Sequence, residues 1–216
     1  MYIYVHSEDI ADAGRTFSRH TGLDVRHVIV PGGLSVRQVA AAVLRILTDE
    51  ERASPNEIVD LLLFNGHGSP GTIYIGEGID EHNVSNFADF LRHLLKPIGS
   101  GGEGIEVHCC QVAAGLRSEP SYQRTCGSDD ASGAEDLNSI GVRFIYAMAR
   151  DFAIRVRASL DLQIADRYGF FEGSMVEALP GEGTDWHGHV RQLTSSPLLM
   201  EGDIDSLRWE ATFGFY

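Results

Sequence analysis

The stretch that most constrains the fold of this chain is residues 58–64, in which Asp60 interrupts an otherwise apolar run. A short and nearly continuous apolar run is typical of a central strand in a parallel sheet, because both faces of such a strand are covered. The run is followed by Asn-Gly-His-Gly-Ser-Pro-Gly, residues 65–71. Glycine and proline mark turns, so the strand is predicted to stop there, with His67 at its carboxyl end.

A second motif of this kind follows the predicted strand at residues 105–108. It places Cys110 just beyond the strand, directly after Cys109. In an open parallel sheet, ligands and catalytic groups gather outside the carboxyl ends of the strands. We therefore expect His67 and Cys110 to meet in space, which is the geometry that a cysteine nucleophile and its base require.

Strand and helix patterns alternate over most of the chain, which predicts an α/β fold with a mostly parallel central sheet and helices on both faces. Ser35 is the expected N-cap of a helix whose apolar positions recur at helical spacing. Strands are predicted at residues 1–6, 24–30, 58–64, 72–75, 105–108 and 142–148, a further extended segment at 155–166, and helices at 10–20, 36–47 and 84–95.

Length and charge narrow the class of protein. The 216 residues suit a single domain over residues 1–216, with a mobile loop at about 118–139 and an irregular, β-rich part at about 167–216. With 31 acidic and 17 basic residues the net charge is -14. An excess of negative charge disfavours nucleic acids and anionic membrane surfaces as partners.

The cysteines and the start of the chain favour a reducing compartment. Cys109 and Cys110 are adjacent, so a disulfide framework is not expected. Residues 1–6 are typical of a strand and not of a cleaved signal peptide. We therefore expect a cytoplasmic protein, with export without a cleaved signal peptide as the alternative.

A cysteine nucleophile needs a neighbouring group that favours the thiolate, because an ordinary thiol is mostly protonated at neutral pH. His67 is the expected base. Gly68, directly after it, lets the backbone approach closely. The backbone N–H groups of Gly68 and Cys110 are the expected oxyanion hole of an acyl-transfer reaction. Cys109 is expected to point to the opposite face of the sheet as a buried structural residue.

The two motifs, His67-Gly-Ser-Pro-Gly and Cys110-Gln-Val-Ala-Ala-Gly, resemble those of the caspase-like (clan CD) cysteine peptidases. The sequences of the two motifs are most similar to those of the uncharacterised caspase-like domain at the start of large bacterial surface and repeat proteins. The resemblance implies a three-layer caspase-hemoglobinase fold and an endopeptidase that cleaves peptide bonds through a Cys-His dyad and an acyl-enzyme. It also implies a peptide or protein substrate, no cofactor, no metal, and activation by a ligand, a partner protein or self-cleavage, for which Arg117 and Arg124 are candidate points.

Two further residues are weaker candidates for substrate binding. By the resemblance, Asp161 lies on the segment that helps form the pocket for the residue before the scissile bond, where a carboxylate would select Arg or Lys. His108 shares a face with Cys110 by strand alternation. The alternative for Asp161 is a solvated carboxylate, and for His108 a packed histidine.

Two other functions remain open at this stage. One is a catalytically idle caspase-like module that serves in binding or assembly, since a fold does not guarantee activity. The weaker one is a metal-dependent hydrolase that uses His67, His108 and the cysteines.

Overall fold

The architecture is a mixed, mostly parallel sheet with helices packed against it. The computed structural model describes residues 1–10, 22–114, 140–160, 175–183 and 188–193. The strands in this part of the chain are β1 (Tyr2–Ser7), β2 (Val25–Val30), β3 (Leu61–Ser69), β4 (Thr72–Tyr74), β5 (Ile79–Asp80), β6 (Gly104–Cys109), β7 (Val156–Ser159), β8 (Met175–Ala178) and β9 (Val190–Leu193). The helices are α1 (Val36–Arg45), α2 (Asp49–Ala53), α3 (Val84–Leu91) and α4 (Ile140–Phe152).

The sheet has the strand order β2-β1-β3-β6-β7-β8-β9. Pairing is parallel from β2 through β7 and antiparallel between β7, β8 and β9. Strands β4 and β5 form a small antiparallel excursion attached to the end of β3. The predicted α/β class and mostly parallel sheet are confirmed.

Helices α1 and α3 form where the sequence predicts helices. Ser35 caps α1 in a capping box with Gln38, so backbone groups at the start of the helix have hydrogen-bond partners. Helix α3 ends at Leu91 and continues as a short 3-10 turn at Arg92–Leu94, earlier than the predicted end at residue 95. Phe90 of α3 is exposed.

The prediction of a strand at residues 142–148 is wrong, because this stretch lies within helix α4. Its β-branched and aromatic residues suggested a strand. The buried positions Val142, Ile145, Ala149 and Phe152 follow helical spacing equally well. Burial on several sides of α4 obscured the pattern, since a helix that is apolar nearly all round has no clear polar stripe.

The two faces of the sheet differ in chemistry. Alternate side chains on one face, such as Val5, Phe64 and Val107, join the main core with helices α1, α3 and α4. We call this the helix face. The opposite face, the polar face, carries buried polar side chains at the intervening positions. They are His6, Asn65, Glu106, His108, Ser159 and Glu177.

A row of alternating charges crosses the polar face. Glu106 of β6 is in register with Arg157 of β7, which is in register with Glu177 of β8 and then Arg191 of β9. Arg157 Nε and Arg191 Nε each donate to Glu177 at 2.9 Å. Burial acts to raise the pKa of Glu177, but these hydrogen bonds outweigh it and lower the pKa. We call these four residues the charge ladder.

Several predicted segments lie outside the described residues. They are most of the predicted helix at 10–20, the loop at about 118–139, the extended segment beyond residue 160 and much of the part from 167 to 216. The helices that the structure does describe include none with both the length and the apolar character needed to cross a membrane.

Candidate active site

His67 lies within β3 and not after it. The strand continues from Leu61 to Ser69, beyond the predicted end at residue 64. Its last residues leave the main sheet and pair with β4, with His67 opposite Tyr74 and Ser69 opposite Thr72. The glycines of the motif therefore do not end the strand, and the imidazole projects from a β-hairpin with 61% of its side chain exposed.

Cys110 occupies the first position after β6, in a tight turn. Gln111 next to it has a φ of 54°, a left-handed conformation that non-glycine residues adopt at a cost. The turn is anchored by Ala113, whose N–H donates to the Ser159 carbonyl at 3.0 Å. Cys110 is a half-buried residue on a backbone that this turn holds in place.

The structure brings the two motifs together. Gly66 is in register with Cys109, so His67 and Cys110 are the next residues along two adjacent strands, whose spacing is about 4.8 Å. The Gly71 N–H also donates to the Val112 carbonyl at 2.9 Å. The expected proximity of the histidine motif and the cysteine motif is thus present at the level of the backbone.

Gly68 is the point of closest approach between the motifs. A Cβ at this position would lie 2.5 Å from a methyl group of Val112, 2.9 Å from the Cβ of Cys109 and 3.0 Å from the Cys110 carbonyl oxygen. Those distances are too short for non-bonded atoms. Gly68 does not have a positive φ. Glycine is therefore needed at this position because there is no room for a side chain, and not because of the backbone conformation.

We expect Gly68→Ala to lower the free energy of unfolding by about 1 to 3 kcal/mol, because overpacking forces the backbone to shift. The shift would displace the turn that carries Cys110, so thiol alkylation should change as well. Urea unfolding and alkylation rates measure the two effects. Gly32→Ala is the matched control, because a Cβ there meets no atom within 4 Å; equal behaviour of the two variants would contradict the prediction.

The two adjacent cysteines have different surroundings. Cys109 is fully buried in the main core on the helix face, and its Sγ lies 4.0 Å from the Phe64 carbonyl oxygen. Burial raises the pKa of its thiol well above the ordinary value. Cys109 therefore remains a protonated, packed side chain, which leaves Cys110 as the accessible sulfur of the pair.

Asp9 is a neighbour of His67 that the sequence reasoning missed. It follows the end of β1, and its Oδ2 lies 3.6 Å from His67 Nε2. Ser7 donates a hydrogen bond to Asp9, which lowers the pKa of that carboxyl. Because both side chains are more than 60% exposed, water screens the pair. The sequence contained one signal for Asp9, because this residue, like His67 and Cys110, lies near the carboxyl end of a parallel strand.

His108 lies on the polar face, two residues before Cys110. It is buried, and its Nε2 donates to Glu106 Oε2 at 2.9 Å. Arg157 approaches the same carboxylate, with 3.8 Å between Nη1 and Oε1. The Glu106 contact fixes the orientation of the imidazole and joins it to the charge ladder.

The structure does not describe every residue to which the sequence analysis assigns a role. Asp161, Arg117 and Arg124 lie outside the described residues. Within the part of the chain that the structure describes, no three His, Cys, Asp or Glu side chains form a group suited to a metal ion. Cys109 and His108 also lie on opposite faces of the sheet.

No protein-family model matches the chain, and no curated protein sequence or solved structure matches it either. The functional interpretation therefore depends on the residues and on the geometry of the two motifs.

Proposed function

We propose that this chain is a cysteine endopeptidase of the caspase-like type, with Cys110 as nucleophile and His67 as base. The observation that carries the proposal is the register of β3 and β6, which pairs Gly66 with Cys109 and makes His67 and Cys110 neighbours on adjacent strands. The close contact of Gly68 with the cysteine motif is a second observation that supports the proposal. The finer fold assignment, a three-layer caspase-like domain, is part of the same proposal.

The chemistry follows from the two side chains. The imidazole of His67 takes the proton of the Cys110 thiol, and the sulfur attacks the carbonyl carbon of a peptide bond. The negative charge that develops on the carbonyl oxygen is held by the backbone N–H groups of Gly68 and Cys110. The imidazolium then gives its proton to the departing amine as the C–N bond breaks, and water hydrolyses the thioester.

Three further residues have supporting roles in this proposal. Asp9 lies 3.6 Å from the imidazole and would help to orient it. The buried His108, held by Glu106, would form the wall of the substrate groove below Cys110. Asp161 would select a basic residue before the scissile bond. The substrate is a peptide or protein, and the net charge of -14 disfavours nucleic acid.

An electrophilic peptide probe tests the proposal. An acyloxymethyl ketone peptide should label the protein once, and mass spectrometry of tryptic fragments should locate the adduct at Cys110 and not at Cys109. His67→Ala should lower the labelling rate by about a hundredfold or more, because general-base assistance is typically worth that much. His93→Ala, at an exposed histidine elsewhere, is the matched control.

Three results would count against the proposal as stated. If Cys109 were labelled in place of Cys110, the assignment of the nucleophile would be wrong. If Cys110 were labelled at the same rate in wild type, His67→Ala and His93→Ala, the thiol would have no base, and the chain would be an idle binding or assembly module. Labelling that is sensitive to chelators would favour the metal-dependent alternative.

A further inference from the structure

Tyr74 is an exposed aromatic residue placed directly beside His67. The two residues face each other in the antiparallel pairing of β3 with β4. Directly opposed residues of such a pair project to the same side with their Cβ atoms about 5 Å apart. Tyr74 is 48% exposed, which is unusual for so large an aromatic side chain next to a candidate catalytic histidine.

The ring of Tyr74 is held in place. Its hydroxyl lies 2.7 Å from the Ser69 Oγ, and this hydrogen bond runs diagonally across the hairpin. On the other side of the hairpin, Ile73 is fully buried in the main core opposite Gly68. The hairpin is therefore anchored by its apolar side, and its exposed side presents the imidazole and the tyrosine ring together.

Tyr74 lies on the side of His67 that is away from Cys110. Strand β6, which leads to Cys110, pairs with one edge of β3. Strand β4 lies towards the other edge of β3, because the segment after β4 contacts the segment after β2. The Gly33 N–H donates to the Gly76 carbonyl at 3.2 Å, and the Glu77 N–H donates to the Leu34 carbonyl at 2.8 Å. His67, on β3, thus lies between β6, which leads to Cys110, and β4, which carries Tyr74.

The position of Tyr74 bears on substrate binding if the chain is the proposed endopeptidase. The imidazolium gives its proton to the departing amine, so that nitrogen lies next to His67 and the residue attached to it extends on the His67 side of the nucleophile. Tyr74 occupies that side. Glu8 and Asp9, both exposed, follow the end of β1 at the same edge of β3. An aromatic face and carboxylates together attract a cation.

We propose that Tyr74 and Asp9 form the subsite for the residue directly after the scissile bond, and that this subsite prefers Lys or Arg. The inference rests on the proposed endopeptidase activity. The ring of Tyr74 contacts the cationic side chain, and the carboxylate of Asp9 offsets its charge. The net charge of -14 adds a general attraction for basic peptides.

The test is cleavage of a synthetic peptide library, with sequencing of the new N-termini. Wild type should enrich Lys and Arg at the first position of the new N-terminus. Tyr74→Ala should reduce that enrichment by about two- to fivefold, the range expected for an exposed cation–π contact. Tyr74→Phe should retain most of it, and Asp9→Asn should weaken it. Phe90→Ala removes an exposed aromatic side chain from α3 and should change nothing.

The outcomes separate the two proposals. If wild type cleaves the library but Tyr74→Ala has the same preference after the scissile bond, the subsite is wrong and the peptidase stands. The same holds if another class of residue is enriched there in wild type. If wild type leaves the library uncleaved, the endopeptidase proposal fails and the subsite with it.

Discussion

Replacing Glu177 with alanine should lower the free energy of unfolding by about 3 to 5 kcal/mol, the cost typical of removing one partner from a buried charge network. Glu177 is 1% exposed and accepts hydrogen bonds from Arg157 and Arg191. Arg155 also lies 3.9 Å from it. Without the carboxylate, Arg157 would lose its closest partner while remaining mostly out of water.

Urea unfolding of wild type and variants measures this effect. Glu177→Gln keeps the shape and one acceptor, so it should lose less stability than Glu177→Ala. Asp89→Asn, at an exposed carboxylate of α3, is the control and should stay within about 0.5 kcal/mol of wild type. A loss for Glu177→Ala no larger than that of the control would show that the charge ladder does not support the sheet.

Stability should also fall as the pH drops from about 6.5 to about 4, and His6 should account for much of the fall. His6 is fully buried on the polar face, and its Nε2 lies 2.9 Å from Nδ1 of His27. Asn65 Nδ2 lies 3.2 Å from its other ring nitrogen. Burial first, and the neighbouring His27 second, lower the pKa of His6 from 6.5 to about 4.

The sign follows from proton binding. Between about pH 6.5 and 4 the unfolded chain binds a proton at His6 while the folded chain does not, so protonation favours unfolding. The difference corresponds to about 3 kcal/mol by pH 4. Burial lowers the pKa of His27 as well, which acts in the same direction. Above pH 6.5 neither histidine contributes to pH dependence.

Urea unfolding at several pH values tests this prediction. His6→Gln cannot titrate, so its stability should decline less steeply with falling pH than that of wild type, whatever its absolute stability. His93→Gln, at an exposed histidine, should retain the wild-type slope. Parallel pH profiles for wild type and His6→Gln would contradict the buried, neutral state of His6.

Several features of the site could be predicted because they depend on neighbours in the chain. The apolar run at residues 58–64 predicted a buried central strand, and its second part, residues 61–64, lies in β3, which begins three residues later than predicted. Ser35 predicted a helix start, and the structure shows it in a capping box with Gln38. Alternation placed Cys109 and Cys110 on different sides, and Cys109 lies in the core. Periodicity and capping act over a few residues, so one sequence is enough to recognise them.

Other features depended on residues far apart in sequence. Asp9 lies beside His67 because β1 and β3 are adjacent, and Tyr74 faces His67 because β3 continues into a hairpin. The charge ladder aligns four strands whose registers are set by packing of the whole sheet. The position of Asp9 after β1 is visible in the sequence, but the partner that each of these side chains contacts is not.

The sequence by itself therefore determined the α/β class, the central strand, the capped helix and the pair of motifs at His67 and Cys110. Tertiary structure alone decided that residues 142–148 form part of a helix, and which side chains surround the candidate site. The physical reason is that hydrogen bonding within a turn or helix start is local. The choice between helix and strand for an apolar stretch, and the register between strands, depend on what the rest of the chain packs against it.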